Sequence, residues 1–210
     1  MSAEQIHSYK LLAELLQYPT DSTLATARLA AMFLEVRCPE AANLVRGFAR
    51  ELEGSDTRDL EERYAAVFDF HPARTLDLGY QIFGETYKRG VFLVRMKEAV
   101  AAHAVEIGSE LPDHLPTLLR LLVELEANEE PRDLVVEVIL PCVEKILRTF
   151  EEGESGYRAV LAAVKALLMS DYDVTHVEPP PPIDEAASSA TGFRLPVFPG
   201  FHSPAERGLS

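Results

Sequence analysis

The sequence predicts an all-α protein, a single-domain multi-helix bundle followed by a disordered or extended proline-rich tail. Apolar residues recur at the three- and four-residue spacing of a helix almost everywhere up to about residue 170. Sustained alternation of apolar and polar residues, the mark of a half-buried strand, is missing. From His176 the composition turns to proline, then to small and polar residues, which cannot build a packed core. The expected division is a helical domain over 1–175 and a tail over 176–210.

The elements follow in order. Ile6, Tyr9, Leu12, Leu15 and Leu16 form the first stripe, which Pro19 stops. Asp21 or Ser22 can cap a second helix through Leu24, Ala27, Ala31 and Leu34, and Pro39 suits the first position of a third that buries Ala42, Val45, Phe48 and Leu52. Gly54-Ser55-Asp56-Thr57 is a break and a cap, after which Leu60, Tyr64, Val67 and Phe68 line a fourth helix. Asp69-Phe70-His71-Pro72-Ala73-Arg74-Thr75 reads as a loop, because Pro72 disfavours helix at His71 and Thr75 offers a new cap. A short helix over 76–83 and a longer one over 85–107 follow, with Val91, Val94, Val100 and Ala104 as inward candidates and Gly108-Ser109 as the stop. Glu110-Leu111-Pro112-Asp113-His114-Leu115-Pro116 leads into a helix carrying Leu118, Leu119, Leu122 and Leu125, with Pro112 near its first turn. Helices over about 131–150 and 155–170 close the fold around Leu134, Val138, Cys142, Ile146, Val160, Val164 and Leu168.

The 34 acidic against 20 basic side chains give a formal charge of −14, which opposes phosphate backbones and anionic lipid headgroups. Nucleic acid is thereby excluded as an expected partner, while a basic peptide or protein face would be attracted. No stretch approaches the ~18 uninterrupted apolar residues of a membrane span, and Met1 to Lys10 lacks the pattern of an export signal. Cys38 and Cys142 form neither a disulfide framework nor a metal pair, so the expectation is a soluble protein of a reducing cytoplasm. A monomer is expected, with a dimer open.

Catalytic signatures are missing: there is no phosphate loop, no HExxH, no GxSxG and no calcium loop. The histidines at 7, 71, 103, 114, 176 and 202 never pair at the spacing that presents two ligands on one helical face, so no metal or other cofactor is expected. A metal-dependent helical hydrolase would have to gather Asp69, His71 and His114 by tertiary convergence. Asp113 and His114 lie between two prolines at a helix start, where backbone amides remain unpaired. Two readings stay open there: a ligand-facing corner, or a cap and a hydrogen-bonded buried imidazole. Asp69, after Phe68, carries the same two.

Three blocks carry a resemblance: Tyr64-Ala65-Ala66-Val67-Phe68-Asp69, then Gly84-Glu85 with Arg89-Gly90, then Glu110 to Pro116. In their order and spacing the chain resembles the NarJ-like delta-subunit chaperones of respiratory nitrate reductase. These lie within the TorD/DmsD superfamily of redox-enzyme maturation proteins. The resemblance implies an all-helical binding protein rather than an enzyme, a chaperone that holds the N-terminal segment of a molybdenum oxidoreductase catalytic subunit until its cofactor is inserted. Carried over by position, it implies Tyr64, Phe68, Asp69, Glu110, Pro112, Asp113 and His114 as the binding corner, with Glu85 and Arg89 in support. A target peptide would lay its apolar side in a groove and bring basic residues to Asp69, Glu110 or Asp113. Tyr64 and Phe68 also lie on an inward stripe, so a core role competes with a binding role. A subunit that stays in the mature complex is the other reading of the same resemblance.

Overall fold

The computed structural model describes residues 3–125, 131–151 and 156–181. Most of the expected tail, including its apolar segment over 192–201, lies outside the described residues. Among those described, the fold is all-helical, and extended pairing is confined to a single antiparallel bridge between Asp77 and His114.

Helix α1 (Ala3–Leu15) buries Tyr9, Leu12 and Leu15 against α2 (Thr23–Arg37) and α7 (Leu115–Leu125). Helix α3 (Pro39–Glu51) starts on its proline as expected and packs between α2 and α10 (Gly156–Asp171). Helix α4 (Thr57–Tyr64) begins with a capping box, in which Asp59 N–H donates to Asp56 Oδ1 at 2.9 Å and Asp56 N–H donates to Asp59 Oδ2 at 3.2 Å.

A wide π turn, Ala65–Asp69, continues α4 and turns the adjacent Val67 and Phe68 both into the core. A second π turn, Val135–Ile139, joins α8 (Arg132–Leu134) to α9 (Leu140–Leu147). It lies just before Pro141, whose ring in a regular helix would clash with the Glu137 carbonyl and which has no N–H to give. The wide turn absorbs that conflict without breaking the run of buried Leu134, Val138, Cys142 and Ile146.

Four local expectations are corrected. Helix α5 spans Leu78–Phe83 and its N-cap is Asp77 rather than Thr75. Helix α6 (Tyr87–Ala102) ends before Gly108, because Ala104 takes a positive φ of 53°. Its buried face is Phe92, Met96, Ala99 and Val100, so Val94, 58% exposed, and exposed Ala104 point outward. Helix α7 starts at Leu115, placing Pro116 in its first turn and leaving Pro112 in the loop before it.

Both cysteines are buried and free, and burial pushes the Cys142 thiol well above its usual range. No helix among the described residues is long and apolar enough to cross a membrane.

Candidate functional site

The loop before α5 and the loop before α7 cross at the Asp77–His114 bridge, and the backbone makes the junction rigid. Leu78 N–H donates to the Asp113 carbonyl at 3.1 Å, and Leu115 N–H donates to the Leu76 carbonyl at 2.9 Å. Asp113, fully buried, turns its carboxylate onto α5, where Gly79 N–H donates to Oδ2 at 2.8 Å. That contact explains a glycine inside a helix: a Cβ on Gly79 would stand 2.7 Å from Asp113 Oδ2 and 2.8 Å from Phe92 Cδ1.

The second oxygen, Asp113 Oδ1, is buried and meets no donor among the described residues. Burial, and then the neighbouring Asp77 carboxylate, push the Asp113 acid up to about 6, against the pull of the Gly79 amide and the Arg89 guanidinium. Asp77 is the hub of the corner. An ionised carboxylate only accepts, so His114 Nδ1–H donates to Asp77 Oδ1, at 3.1 Å. Arg89 reaches Asp77 Oδ2 at 3.5 Å from α6 and lies over the Tyr80 ring at 5.4 Å. Exposed Glu110 stands at the rim, its Oε2 3.9 Å from His114 Nδ1.

Tyr64 and Phe68 are buried in an aromatic cluster with Tyr157, with ring centroids 4.9 to 5.5 Å apart. The Tyr64 hydroxyl donates to the Leu16 carbonyl at 3.1 Å. Burial first, then the carboxylates of Asp69 and Glu110, push its phenol far above the usual range, which places it electrostatically beside the acidic rim. Removing only the hydroxyl, in Tyr64→Phe, should cost about 1 kcal/mol by leaving the Leu16 carbonyl unpaired. Urea unfolding checks this, and an unchanged midpoint would remove the structural role.

Of the remaining expected residues, Asp69 is exposed at the end of its π turn and Pro112 is half-buried. Glu85 is exposed, with no hydrogen bond or ion pair among the described residues. Its neighbour Gly84 is buried at φ 59°, ψ −149°, a conformation essentially reserved for glycine. Asp69, His71 and His114 do not converge as ligands: among the described residues, no three His, Cys, Asp or Glu side chains gather to hold a metal.

Sequence reasoning missed Asp77, Gly79 and the two side chains that tie the loop down. Arg74, buried, donates from Nη2 to the Thr149 carbonyl at 2.9 Å and stacks on Phe150 at 4.1 Å. Gln81 donates to the Ala73 and Thr75 carbonyls at 3.1 and 2.9 Å. A glycine within the 76–83 helical pattern was the available signal for a close approach.

The all-helical bundle is a fold also found in a protein described as a redox-enzyme maturation protein. A crystal structure from Archaeoglobus fulgidus, assigned to that class, superposes with a TM-score of 0.54 over 80% of this chain and 95% of its own, at 22% identity, a likeness of fold. In sequence the chain is similar to the nitrate reductase molybdenum cofactor assembly chaperone NarJ of Escherichia coli K12, 30% identical over 135 residues, and equally to that of Escherichia coli O157:H7. The match covers 64% of this chain and 56% of those relatives, so the chain spans little more than half their length. No family model matches it.

Proposed function

We propose that the protein is an assembly chaperone for a molybdenum-containing oxidoreductase, nitrate reductase or a relative. In this reading it binds the N-terminal segment of the catalytic subunit and keeps the apoenzyme competent for cofactor insertion, acting in the cytoplasm by binding and not by catalysis. The similarity to the NarJ chaperones carries the reading. The corner's chemistry supports it. The exposed carboxylates of Glu110 and Asp69, at the rim over the Asp77–His114 pair and the buried Asp113, suit a basic group presented by a peptide. The net charge of −14 adds long-range attraction for such a segment. Tyr64 and Phe68 act beneath the corner, holding the π turn that presents Asp69.

The test is capture of the tagged protein from its host grown under anaerobic respiration, with captured catalytic subunit assayed for molybdenum. A molybdenum-poor subunit is the expected catch. Glu110→Gln, at an exposed rim position, should weaken binding of the N-terminal peptide about fivefold, which corresponds to about 1 kcal/mol. Capture of the mature, cofactor-loaded enzyme would favour a permanent subunit instead. Absence of any molybdoenzyme would overturn the proposal.

A further inference from the structure

Helix α2 is apolar on two sides, and the fold uses one of them. Ala27, Ala30 and Leu34 are buried in the core. On the far side Ala25, Leu29, Met32 and Val36 are exposed, Met32 at 71% and Val36 at 85%, and nothing among the described residues covers them. They follow in steps of four, three and four residues, the alternation by which two helices interlock along a shared seam. A surface helix ordinarily turns polar residues to water here, so a second apolar stripe marks a place where something packs.

The charges beside the stripe say what kind of surface meets it. Arg28 and Glu35 flank it on the side toward α3, and each already has a partner of opposite sign. Arg28 Nη2 lies 3.0 Å from Glu53 Oε1, and Glu35 is ion-paired with Arg46. These charges cancel, so this flank is neutral in a chain of net charge −14. A basic partner drawn in by the overall charge gains nothing here, and a second copy of the chain meets no local repulsion.

The pattern is complementary to itself under a half rotation. Two α2 helices laid antiparallel, with the two-fold axis midway between Leu29 and Met32, set Leu29 against the partner's Met32 and Ala25 against the partner's Val36. The same register brings Arg28 beside the partner's Glu35, and symmetry makes that contact twice. Each extends the pairs already present into a row of alternating sign, Glu53, Arg28, Glu35 and Arg46. Toward α3 the stripe sinks into a groove of about 550 Å³ lined by Ala31, Met32, Val36 and Ala49, which the partner's unbranched Met32 can enter. From Ala25 to Val36 the seam runs roughly 16 Å at 1.5 Å per residue. A contact of that length belongs with interfaces below about 1,200 Å², so the pairing is reversible, with a dissociation constant on the order of 10 µM.

We propose that two copies of the chain pair antiparallel through α2, with Leu29 and Met32 packed across a two-fold axis and Arg28 of each copy bound to Glu35 of the other. Sedimentation equilibrium of the full chain between about 1 and about 300 µM should show monomer passing into dimer. Met32→Glu changes an exposed residue and should leave the helical circular dichroism intact. It should weaken association about a hundredfold, because each copy carries a carboxylate into the seam. Arg28→Glu and Glu35→Arg each set like charges together in their own dimers and should each weaken association about tenfold. An equimolar mixture of those two variants regains opposite charges at both contacts and should dimerise more tightly than either alone. A wild type that stays monomeric throughout the range overturns the proposal. A dimer indifferent to Met32→Glu, or a mixture no tighter than its components, overturns it as well. The seam shares no residue with the Asp77–His114 corner, so its failure leaves the client reading untouched.

Discussion

Gly79→Ala should lower the unfolding free energy by about 3 kcal/mol, combining overpacking with displacement of a buried carboxylate. The added methyl meets Asp113 Oδ2 and the Phe92 ring, both inside normal contact distance. Neither neighbour has room to retreat, since Asp113 and Phe92 are fully buried. If Asp113 moves, it gives up the Gly79 amide, leaving a second unpaired oxygen in the interior. The intrinsic helix preference of alanine over glycine works the other way by about 1 kcal/mol and does not offset this. Urea unfolding of both proteins decides the matter. A variant as stable as the parent would mean that the α5–corner contact is loose, and would withdraw the account of why a glycine sits in this helix.

Asp113→Asn should have the opposite effect at neutral pH. The folded-state acid titrates at about 6 against an ordinary value of 3.8. The folded protein therefore holds the proton more tightly than the unfolded chain, and the stability this confers is fully present below about pH 4 and lost as pH rises through 6. At 1.36 kcal/mol per unit, the ionised side chain costs about 3 kcal/mol at pH 8. Asparagine keeps an acceptor for the Gly79 amide without the charge. The variant should thus exceed the wild type in stability at pH 8 by up to about 3 kcal/mol, with the gap closing between pH 6 and 4. A wild type at least as stable as Asp113→Asn at pH 8 would show that the buried carboxylate is already satisfied. Under the proposed function the same substitution should weaken client capture, so stability and binding would move in opposite directions, as at sites held strained for a task.

Much of the fold was legible because one helical face had to be apolar. The stripes of α1, α3 and α10 each have an apolar side, α7 is apolar over most of its surface, and Pro39 and Asp56 mark the starts of α3 and α4 by mechanisms that act within a few residues. Helix α6 was misread because Val91, Phe92, Leu93 and Val94 are apolar in succession, so the period admits several faces, and only packing selects Phe92. The π turns left no periodic trace, since one extra residue per turn makes adjacent Val67 and Phe68 share a side. At the corner, the prolines around Asp113 and His114 advertised a stiff loop. Their partner Asp77 lies 37 residues away in sequence, and no local pattern announces a pairing at that range.

That separation also sets an order of events. Joining Asp77 to His114 closes a long loop, and the length-dependent part of the chain entropy is roughly 3 kcal/mol before any contact repays it. During synthesis the carboxylate of Asp77 emerges well ahead of its imidazole, and α6 must fold back before the two can meet. A half-made polypeptide therefore has no corner at all. Under the proposed function, recognition at this place would become available only once the corner has closed, so the folding of the chaperone would itself gate its hold on a client.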